Sequence, residues 1–350
     1  MNRLKYLSLL AQGNIANKDG MHAKAIWYYE RAVLENPMLE QLAAFNIAMS
    51  RKAMREDSGS TTVEIIIPVY NALDDLQKCL ASIKSNVDDL EVRVIVVNDG
   101  SASSATEWLR EYCAHDPMVY LVENTQNMGY TKSVNIGLKA SSAPYVILQN
   151  SDTVVSSGWL DRLMGCMGSS SKIGIVGPLS NAANYQSVPL MRDEQGKFVI
   201  NDLPSGVSVD AMAHAIAHIS KRAYPRVTLV NGFCFMMRRE LIDTIGYMDE
   251  VNFPVGYGEE VDYCIRALQA GYELAIADDV YVFHAKSKSF RHEQRIELSY
   301  AGTQSLKKKY TSEVYFSYGE QMKKCDALET LRSDLLQYLA QHKINFKGNG

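Results

Sequence analysis

Between residues 63 and 148, short continuous apolar runs alternate with longer stretches whose apolar side chains recur every three or four positions. Runs of the first kind predict strands buried on both faces, and stretches of the second kind predict helices. Strands are thus expected at 63–69, 92–97, 119–122 and 145–148, with helices at 73–85, 103–114 and 131–140. Such alternation predicts an α/β fold: a mostly parallel sheet with helices on both faces. A further strand is expected at 173–176. The apolar pattern then breaks down over 178–204, which predicts a long loop and a candidate for mobility. Residues 227–237 read as one long strand kinked at Gly232. Helices are expected at 239–245 and at 259–270, where Gly271 is the stop. Strands at 272–277 and 280–283 follow. Beyond Glu293 the pattern is helical, and Leu328, Leu331, Leu335 and Leu339 form a stripe expected to dock on the core.

Residues 1–55 look wholly helical. Gly13, Ala25, Tyr29, Ala32 and Pro37 stand at a spacing that resembles a tetratricopeptide repeat, and the segment 25–33 followed by Asn36-Pro37 resembles that repeat's second helix and its stop. A third helix is expected over 40–54. An ordinary helical hairpin is the competing reading. One repeat cannot bury its own apolar face, so Ile26, Val33 and Phe45 are expected to pack on the next domain, on a protein partner or on a second copy of the chain. The polar, aperiodic stretch 56–62 reads as a linker. The expected division is a helical module at 1–55, the linker at 56–62, an α/β domain at 63–290 and a helical extension at 291–350.

Composition removes several alternatives. The chain has 36 basic and 40 acidic side chains and a net charge of −4, so no global positive field draws it to nucleic acid. Its six cysteines are scattered with no C-x-x-C pair, which indicates neither a zinc site nor a disulfide framework. The N-terminus lacks the pattern of a secretory signal, and no apolar run approaches the roughly 20 residues of a membrane helix. A cytoplasmic protein is expected, with peripheral contact at the inner face of a membrane left open.

The candidate chemistry centres on 145–153. Tyr145-Val146-Ile147-Leu148 is apolar, and Gln149-Asn150-Ser151-Asp152 turns abruptly polar. That places Asp152 beyond the carboxyl end of a buried strand, where open α/β sheets bind their ligands. It could hold a metal there. Alternatively, Asp152 or Ser156 starts the helix carrying Trp159 and Leu160.

Several motifs stand around it in order: Ile67-Pro68-Val69-Tyr70-Asn71; Val97-Asn98-Asp99-Gly100-Ser101; Asn127-Met128-Gly129-Tyr130 with Asn135-Ile136-Gly137-Leu138; Asn150-Ser151-Asp152; Gly246-Tyr247-Met248-Asp249-Glu250; and Gly258-Glu259-Glu260-Val261-Asp262-Tyr263-Cys264-Ile265-Arg266. Together, residues 63–290 resemble the inverting glycosyltransferases of the GT-A (Rossmann-like) fold often called family 2. The resemblance implies a nucleoside-diphosphate sugar donor and a glycan, lipid-linked or protein acceptor. It places Asp99 at the nucleobase and Pro68, Tyr70 and Asn71 in the turn beside the nucleotide. Gly129, Lys132, Asn150 and Ser151 join them on the donor side, where Lys132 opens a helix and could meet a phosphate.

Asn150-Ser151-Asp152 occupies the place of the family's D-x-D. Asn150 replaces the first acid and is left to touch ribose or a metal-bound water. His284, ending the strand 280–283, matches a metal-ligating histidine, so Asp152 and His284 are the expected ligands of Mn2+ or Mg2+. Lys286, Lys288 and Ser289 follow as a candidate cover for the diphosphate. Glu259, Glu260 and Asp262 crowd one helix start. Motif position implies Glu260 as the base, with Glu259 facing the acceptor or capping the helix, and Asp262 paired with Arg266 and next in line as base. Acceptor contacts are expected from loop 178–210, from Asn231 and Gly232, and from the C-terminal helices. A sugar nucleotidyltransferase and a non-catalytic scaffold are the alternatives. The first should show a glycine-rich basic loop after the opening strand, and Pro68-Val69-Tyr70-Asn71 is not one.

Overall fold

The computed structural model of the chain describes residues 3–58, 62–87, 91–286, 292–322 and 325–344. They fall into two compact units, Met1–Thr61 and Thr62–Gly350. The first unit comprises α1 (Arg3–Lys18), α2 (His22–Glu35), a 3-10 turn at Pro37–Leu39 and α3 (Glu40–Ser58). Small side chains let these helices approach. Ala16, Ala25, Ala32 and Ala43 are buried, and a Cβ on Gly13 would lie 2.6 Å from the Tyr29 ring, whose hydroxyl donates to Asn14. Asn36 ends α2, with its side chain accepting from the Met38 N–H at 3.2 Å.

Ile26 is buried and Val33 half-buried, but Phe45 is 65% exposed. The reason is rotational: α3 packs through Ala43, and a residue two positions on points about 200° away. The linker expected over 56–62 is also shorter. α3 runs through Ser58 and β1 starts at Thr62, because the polar residues of 51–57 are mostly good helix formers. Only 59–61 intervene, and these lie outside the described residues.

The second unit opens with β1 (Thr62–Val69), α4 (Leu73–Ser85), β2 (Glu91–Asn98), α5 (Ser103–His115), β3 (Val119–Glu123), α6 (Tyr130–Ala140) and β4 (Tyr145–Gln149). It continues with β5 (Thr153–Val154), α7 (Trp159–Gly168), β6 (Ile173–Leu179), α8 (Val209–Ile219), β7 (Arg226–Val227), β8 (Cys234–Arg238), α9 (Arg239–Ile245), α10 (Glu259–Gln269), β9 (Glu273–Tyr281) and β10 (Phe283–His284). Three helices follow: α11 (His292–Tyr310), α12 (Ser312–Met322) and α13 (Asp326–Gln341). Eight strands form one sheet in the order β3-β2-β1-β4-β8-β6-β9-β7, and β10 pairs with β5 apart from it. Pairs β3-β2, β2-β1, β1-β4 and β6-β9 are parallel; β8 runs antiparallel to both β4 and β6.

Alternate residues of β1 serve opposite faces. Ile65 and Ile67 join the core built on α4 and α7, and Ile66 joins that built on α6, α8, α10 and α13. Gly137 lets α6 lie on β1, since any Cβ there would collide with Ile66. Among the described residues no helix is long and apolar enough to cross a membrane.

Four sequence expectations change. Residues 227–237 are not one strand: β7 and β8 are separate, and 228–233 forms an irregular link. The strands expected at 272–277 and 280–283 are instead one strand, β9, followed by the short β10. Helix α8 was not foreseen; Ser208 caps it, accepting from the Ala211 N–H at 3.1 Å. The loop 178–204 is irregular but anchored. Asn181, Gln186, Ser187 and Asn201 are buried in it, and Asn201 Nδ2 donates to the carbonyls of Asn181 and Leu190. Side-chain bonds to backbone do the work of a ladder there, and they leave no periodicity to read.

The leucine stripe of α13 docks as expected, with Leu335 fully buried while Leu336 is 37% exposed. Leu335→Ala should cost about 2–5 kcal/mol and lower the urea midpoint. Leu336→Ala should stay within about 0.5 kcal/mol of the parent chain. Equal effects from the two would contradict this docking.

Candidate active site

The register brings the carboxyl ends of β1, β2, β3 and β4 to one edge, and the chain reverses its direction of travel across the sheet between β1 and β4. Antiparallel β8 begins at the same edge, since Cys234 pairs with Gln149. Residues just beyond these ends therefore converge. Tyr70 follows β1 and is 48% exposed. The Asn71 N–H donates to Ser101 Oγ at 3.0 Å, and its Oδ1 accepts from the Ala102 N–H at 2.8 Å, tying the first turn to the second. Pro68 lies within β1 opposite Val97.

Asp99 is buried. Its Oδ1 accepts from Asn124 Nδ2 at 2.9 Å and from the Met128 N–H at 2.8 Å, and its Oδ2 from the Gly129 N–H at 3.0 Å. A carboxylate has about four acceptor positions, so Asp99 first shapes the 124–129 turn and keeps little capacity for a nucleobase. Gly100, at φ 70°, lets its turn pass against Gln126, where a Cβ would lie 2.5 Å from the backbone. A polar cavity of about 430 Å3 opens beside Asp99, lined by Gly100, Ser101, Ser103, Thr106, Asn124 and Thr125 among others. Lys132 stands half-buried on the first turn of α6.

Asp152 and His284 do meet. His284 Nε2 lies 3.3 Å from Asp152 Oδ1, with both side chains largely buried. Pairing of β10 with β5 makes the contact: His284 faces Thr153, and the Ala285 N–H donates to the Asp152 carbonyl at 2.9 Å. Asn181 holds His284 at both backbone groups, accepting from its N–H at 2.7 Å and donating to its carbonyl at 3.0 Å. The Phe233 ring stacks on the imidazole at 5.3 Å. His284 Nδ1 is buried without a hydrogen-bond partner. The alternative reading of Asp152 or Ser156 as a helix cap does not hold, because α7 starts at Trp159 with Gly158 before it.

The acid cluster occupies the first turn of α10. Glu259 is buried and its Oε2 has no hydrogen-bond partner. Burial and the adjacent Glu260 charge push its pKa well above the ordinary carboxylate range. Glu260 is half-buried. Burial raises its pKa too, while the nearby Lys286 ammonium acts the other way. Glu260 Oε2 accepts from the Gly258 N–H at 3.2 Å at this helix start. Gly232 faces Glu260, with 3.3 Å between a Cβ built there and Glu260 Cβ. Gln186 fixes the adjoining Asn231 by accepting its N–H at 2.7 Å.

Asp262 is not available as a base. It is fully buried and accepts from Arg266 Nε at 2.8 Å and from the Tyr310 hydroxyl at 2.6 Å, with Lys309 Nζ at 2.5 Å.

Tyr130 joins the two halves and was missed. Its hydroxyl donates to Asn150 Oδ1 at 3.4 Å; burial, then the charges of Glu259, Glu260 and Asp152, push its pKa up. Its place directly after Gly129 was the available signal. Ser151 lies in the turn between Asn150 and Asp152. Lys288 and Ser289 lie outside the described residues.

Comparison with known proteins bears on this arrangement. Residues 64–246 match the family described as Glycosyl transferase family 2. The chain is 27% identical over 226 residues to the glycosyltransferase AglE of Haloferax volcanii, an alignment covering 63% of this chain and 66% of AglE. It is 24% identical over 269 residues to the uncharacterized protein y4gI of Sinorhizobium fredii, covering 72% of this chain but only 27% of y4gI. In three dimensions it is similar to the mannosyltransferase PcManGT from Pyrobaculum calidifontis in complex with GDP-Man and Mn2+, with a TM-score of 0.54, 17% identity, and coverage of 80% of this chain and 74% of that one. At that identity the likeness is one of GT-A fold. The family match spans more than half of the sequence and includes the turns bearing Tyr70, Asp99, Gly129 and Asp152, so the chain belongs to glycosyl transferase family 2.

Proposed function

We propose that the chain moves a sugar from a nucleoside-diphosphate donor to a hydroxyl of a glycan, lipid-linked or protein acceptor, with inversion at the sugar carbon. The observation that carries this reading is the meeting of Asp152 and His284 at the ligand edge of the sheet, with Phe233 stacked on His284 and the neighbouring Gly232 against Glu260. PcManGT, of the same fold, is complexed with GDP-Man and Mn2+.

The residues fit a divalent ion. One carboxylate and one imidazole share a space, where Asp152 Oδ1 and His284 Nε2 face each other as two donors of a kind a divalent ion takes. Among the described residues no group of three His, Cys, Asp or Glu could hold an ion by itself. That favours a site completed by substrate oxygens and water, which Mn2+ or Mg2+ accepts. When bound, the ion neutralises the charge of the leaving diphosphate.

The remaining work falls to the chain. Tyr70 and the turns at Asn71, Asp99 and Gly129 bound the nucleotide. Asn150, turned by Tyr130, presents its amide nitrogen to ribose or phosphate, and Lys132 faces the diphosphate from the start of α6. Glu259 is buried without a counter-charge, which favours its protonated form more than that of Glu260. Glu260 is more accessible and lies near a cation, so it ionises more readily and takes the proton of the acceptor hydroxyl. Asn231, Gly232 and loop 178–210 line the acceptor's approach.

Metal linkage gives a first test. UDP or GDP with Mn2+ should stabilise the chain by about 2.7 kcal/mol when the ligand stands at a hundred times its Kd, and chelator should remove most of that gain. Asp152→Asn should lose the metal-dependent part while melting normally without ligand. Equal stabilisation with and without metal would sink the assignment.

The base gives a second. Glu260→Gln should lower turnover by about 10²–10⁴ and leave metal-dependent nucleotide binding intact. Glu259→Gln should act more on the acceptor KM. A reversal of these two effects would exchange the roles.

The pH profile gives a third. Glu260 must be ionised to act, so a raised pKa moves the acid limb of turnover above the ordinary glutamate value of about 4.3. Activity is full above the raised pKa and is lost as pH falls through it. An acid limb at or below the ordinary value would contradict the burial of the base.

A further inference from the structure

The backbone leading into α10 is unusual. Gly256, Tyr257 and Gly258 have φ of 99°, 63° and 128°, three successive residues in the left-handed region. A non-glycine residue in that region stays there only when its surroundings hold it. Glu259 and Glu260 follow at once, so whatever holds this turn also sets the direction of the two carboxylates.

Two surfaces hold it. On the donor side, Thr131 Oγ1 donates to the Phe253 carbonyl at 2.5 Å, and Gly129 lies so close to Pro254 that a Cβ would stand 2.5 Å from its carbonyl oxygen. On the other side stands α11, whose Gly302, Leu306, Lys309 and Tyr310 share one face at helical spacing. Gly302 abuts the Tyr257 carbonyl so closely that no Cβ would fit, and Leu306 is buried against Gly258. Lys309 Nζ lies 2.8 Å from Asp249 Oδ2 and 2.5 Å from Asp262 Oδ1. Asp249 opens the turn and Asp262 stands in the first helical turn beyond it, so one ammonium grips both ends. Asp262 also holds Tyr310 and Arg266, and Arg266 donates to the Ile245 and Tyr247 carbonyls at 2.8 and 2.9 Å. Asp249 has backbone and amide donors from Val251 and Asn252, and among the described residues Lys309 is the cation paired with it.

We propose that Lys309 is a positioning residue: by bridging Asp249 and Asp262 it fixes the 249–262 turn and so aims Glu260 at the arriving acceptor. This rests on the reading of Glu260 as base. The clasp comes from the C-terminal helices, beyond residues 64–246 that carry the family match. A lysine suits the task because a compact ammonium with three donors can serve two carboxylates at once.

The test uses the full chain with Lys309→Met, which keeps the stem and removes the charge, and Lys309→Arg, which keeps the charge. Hydrogen exchange within 249–262 should rise about tenfold in Lys309→Met while β1 to β4 stay protected. Stabilisation by UDP or GDP with Mn2+ should be retained. With the diphosphate sugar that the parent chain uses, kcat should fall about 10–100-fold at nearly constant donor KM, and Lys309→Arg should recover most of the exchange protection and turnover.

Unchanged exchange in 249–262, exchange rising alike through the whole chain, donor affinity lost together with kcat, or no recovery in Lys309→Arg would each overturn the proposal. A parent chain that neither UDP nor GDP stabilises with Mn2+ would overturn the glycosyltransfer reading instead, and the exchange arm would still decide the clasp.

Discussion

The site depends on one short antiparallel pairing. β5 and β10 contribute two residues each, yet their register sets His284 beside Asp152 across a long stretch of chain. So small a pair does not stand alone. It is held by Asn181, which occupies both backbone groups of His284, by the stacked ring of Phe233, and by Ser156, whose hydroxyl donates to the Tyr281 carbonyl at 2.8 Å. Beneath it, Thr153 Oγ1 donates to the Asn150 carbonyl at 2.8 Å and closes the turn that presents Asn150 and Asp152. The buried sheet supplies the rigidity, and these polar bonds transmit it to the two candidate ligands.

Electrostatics give the arrangement its direction. Asp152, Glu259 and Glu260 surround Tyr130, and their charges act together on its phenol. Away from the site the chain pairs its buried acids carefully: Glu64 with Arg93, Asp279 with Arg222, and Asp262 with Arg266 and Lys309. At the ligand edge Glu259 keeps a buried oxygen without a hydrogen-bond partner. Carboxylates gathered around Tyr130 would disfavour a bare diphosphate and favour one that arrives with a cation, which is the physical sense of the proposed metal dependence. Unequal burial of Glu259 and Glu260 raises the pKa of the first more than that of the second, which is the physical basis for proposing Glu260 as the base.

Much of this was legible in the sequence, for identifiable reasons. The strands β1, β2 and β4 are buried on both faces, so their apolar runs are continuous and their ends abrupt. Helices α4 and α9 begin and end where their apolar spacing does. Asp152 could be named because it follows such a run, and His284 because it follows 280–283 where the resembling family carries a metal-ligating histidine. What was not legible depends on contacts between distant residues. Asn181 has no local signature, and its role appears only when β6 and β9 pair. Val230 and Phe233 are core residues carried by an irregular link rather than by a ladder, which made 227–237 look like one strand. Asp262 looked like a spare catalytic acid until α11 brought Lys309 and Tyr310 onto it. Tyr130 follows a glycine motif whose glycine took the attention, although the aromatic ring is what spans the site.

The proposed ligand pair is open to direct spectroscopic measurement. Pulsed electron paramagnetic resonance of the full chain with Mn2+ and UDP should show hyperfine coupling to an imidazole nitrogen together with coupling to diphosphate phosphorus. The nitrogen coupling should vanish in His284→Asn, while the phosphorus coupling remains. A Mn2+ ion coupled to phosphorus alone in the parent chain, or a nitrogen signal that survives His284→Asn, would show that β5 and β10 do not build the metal site.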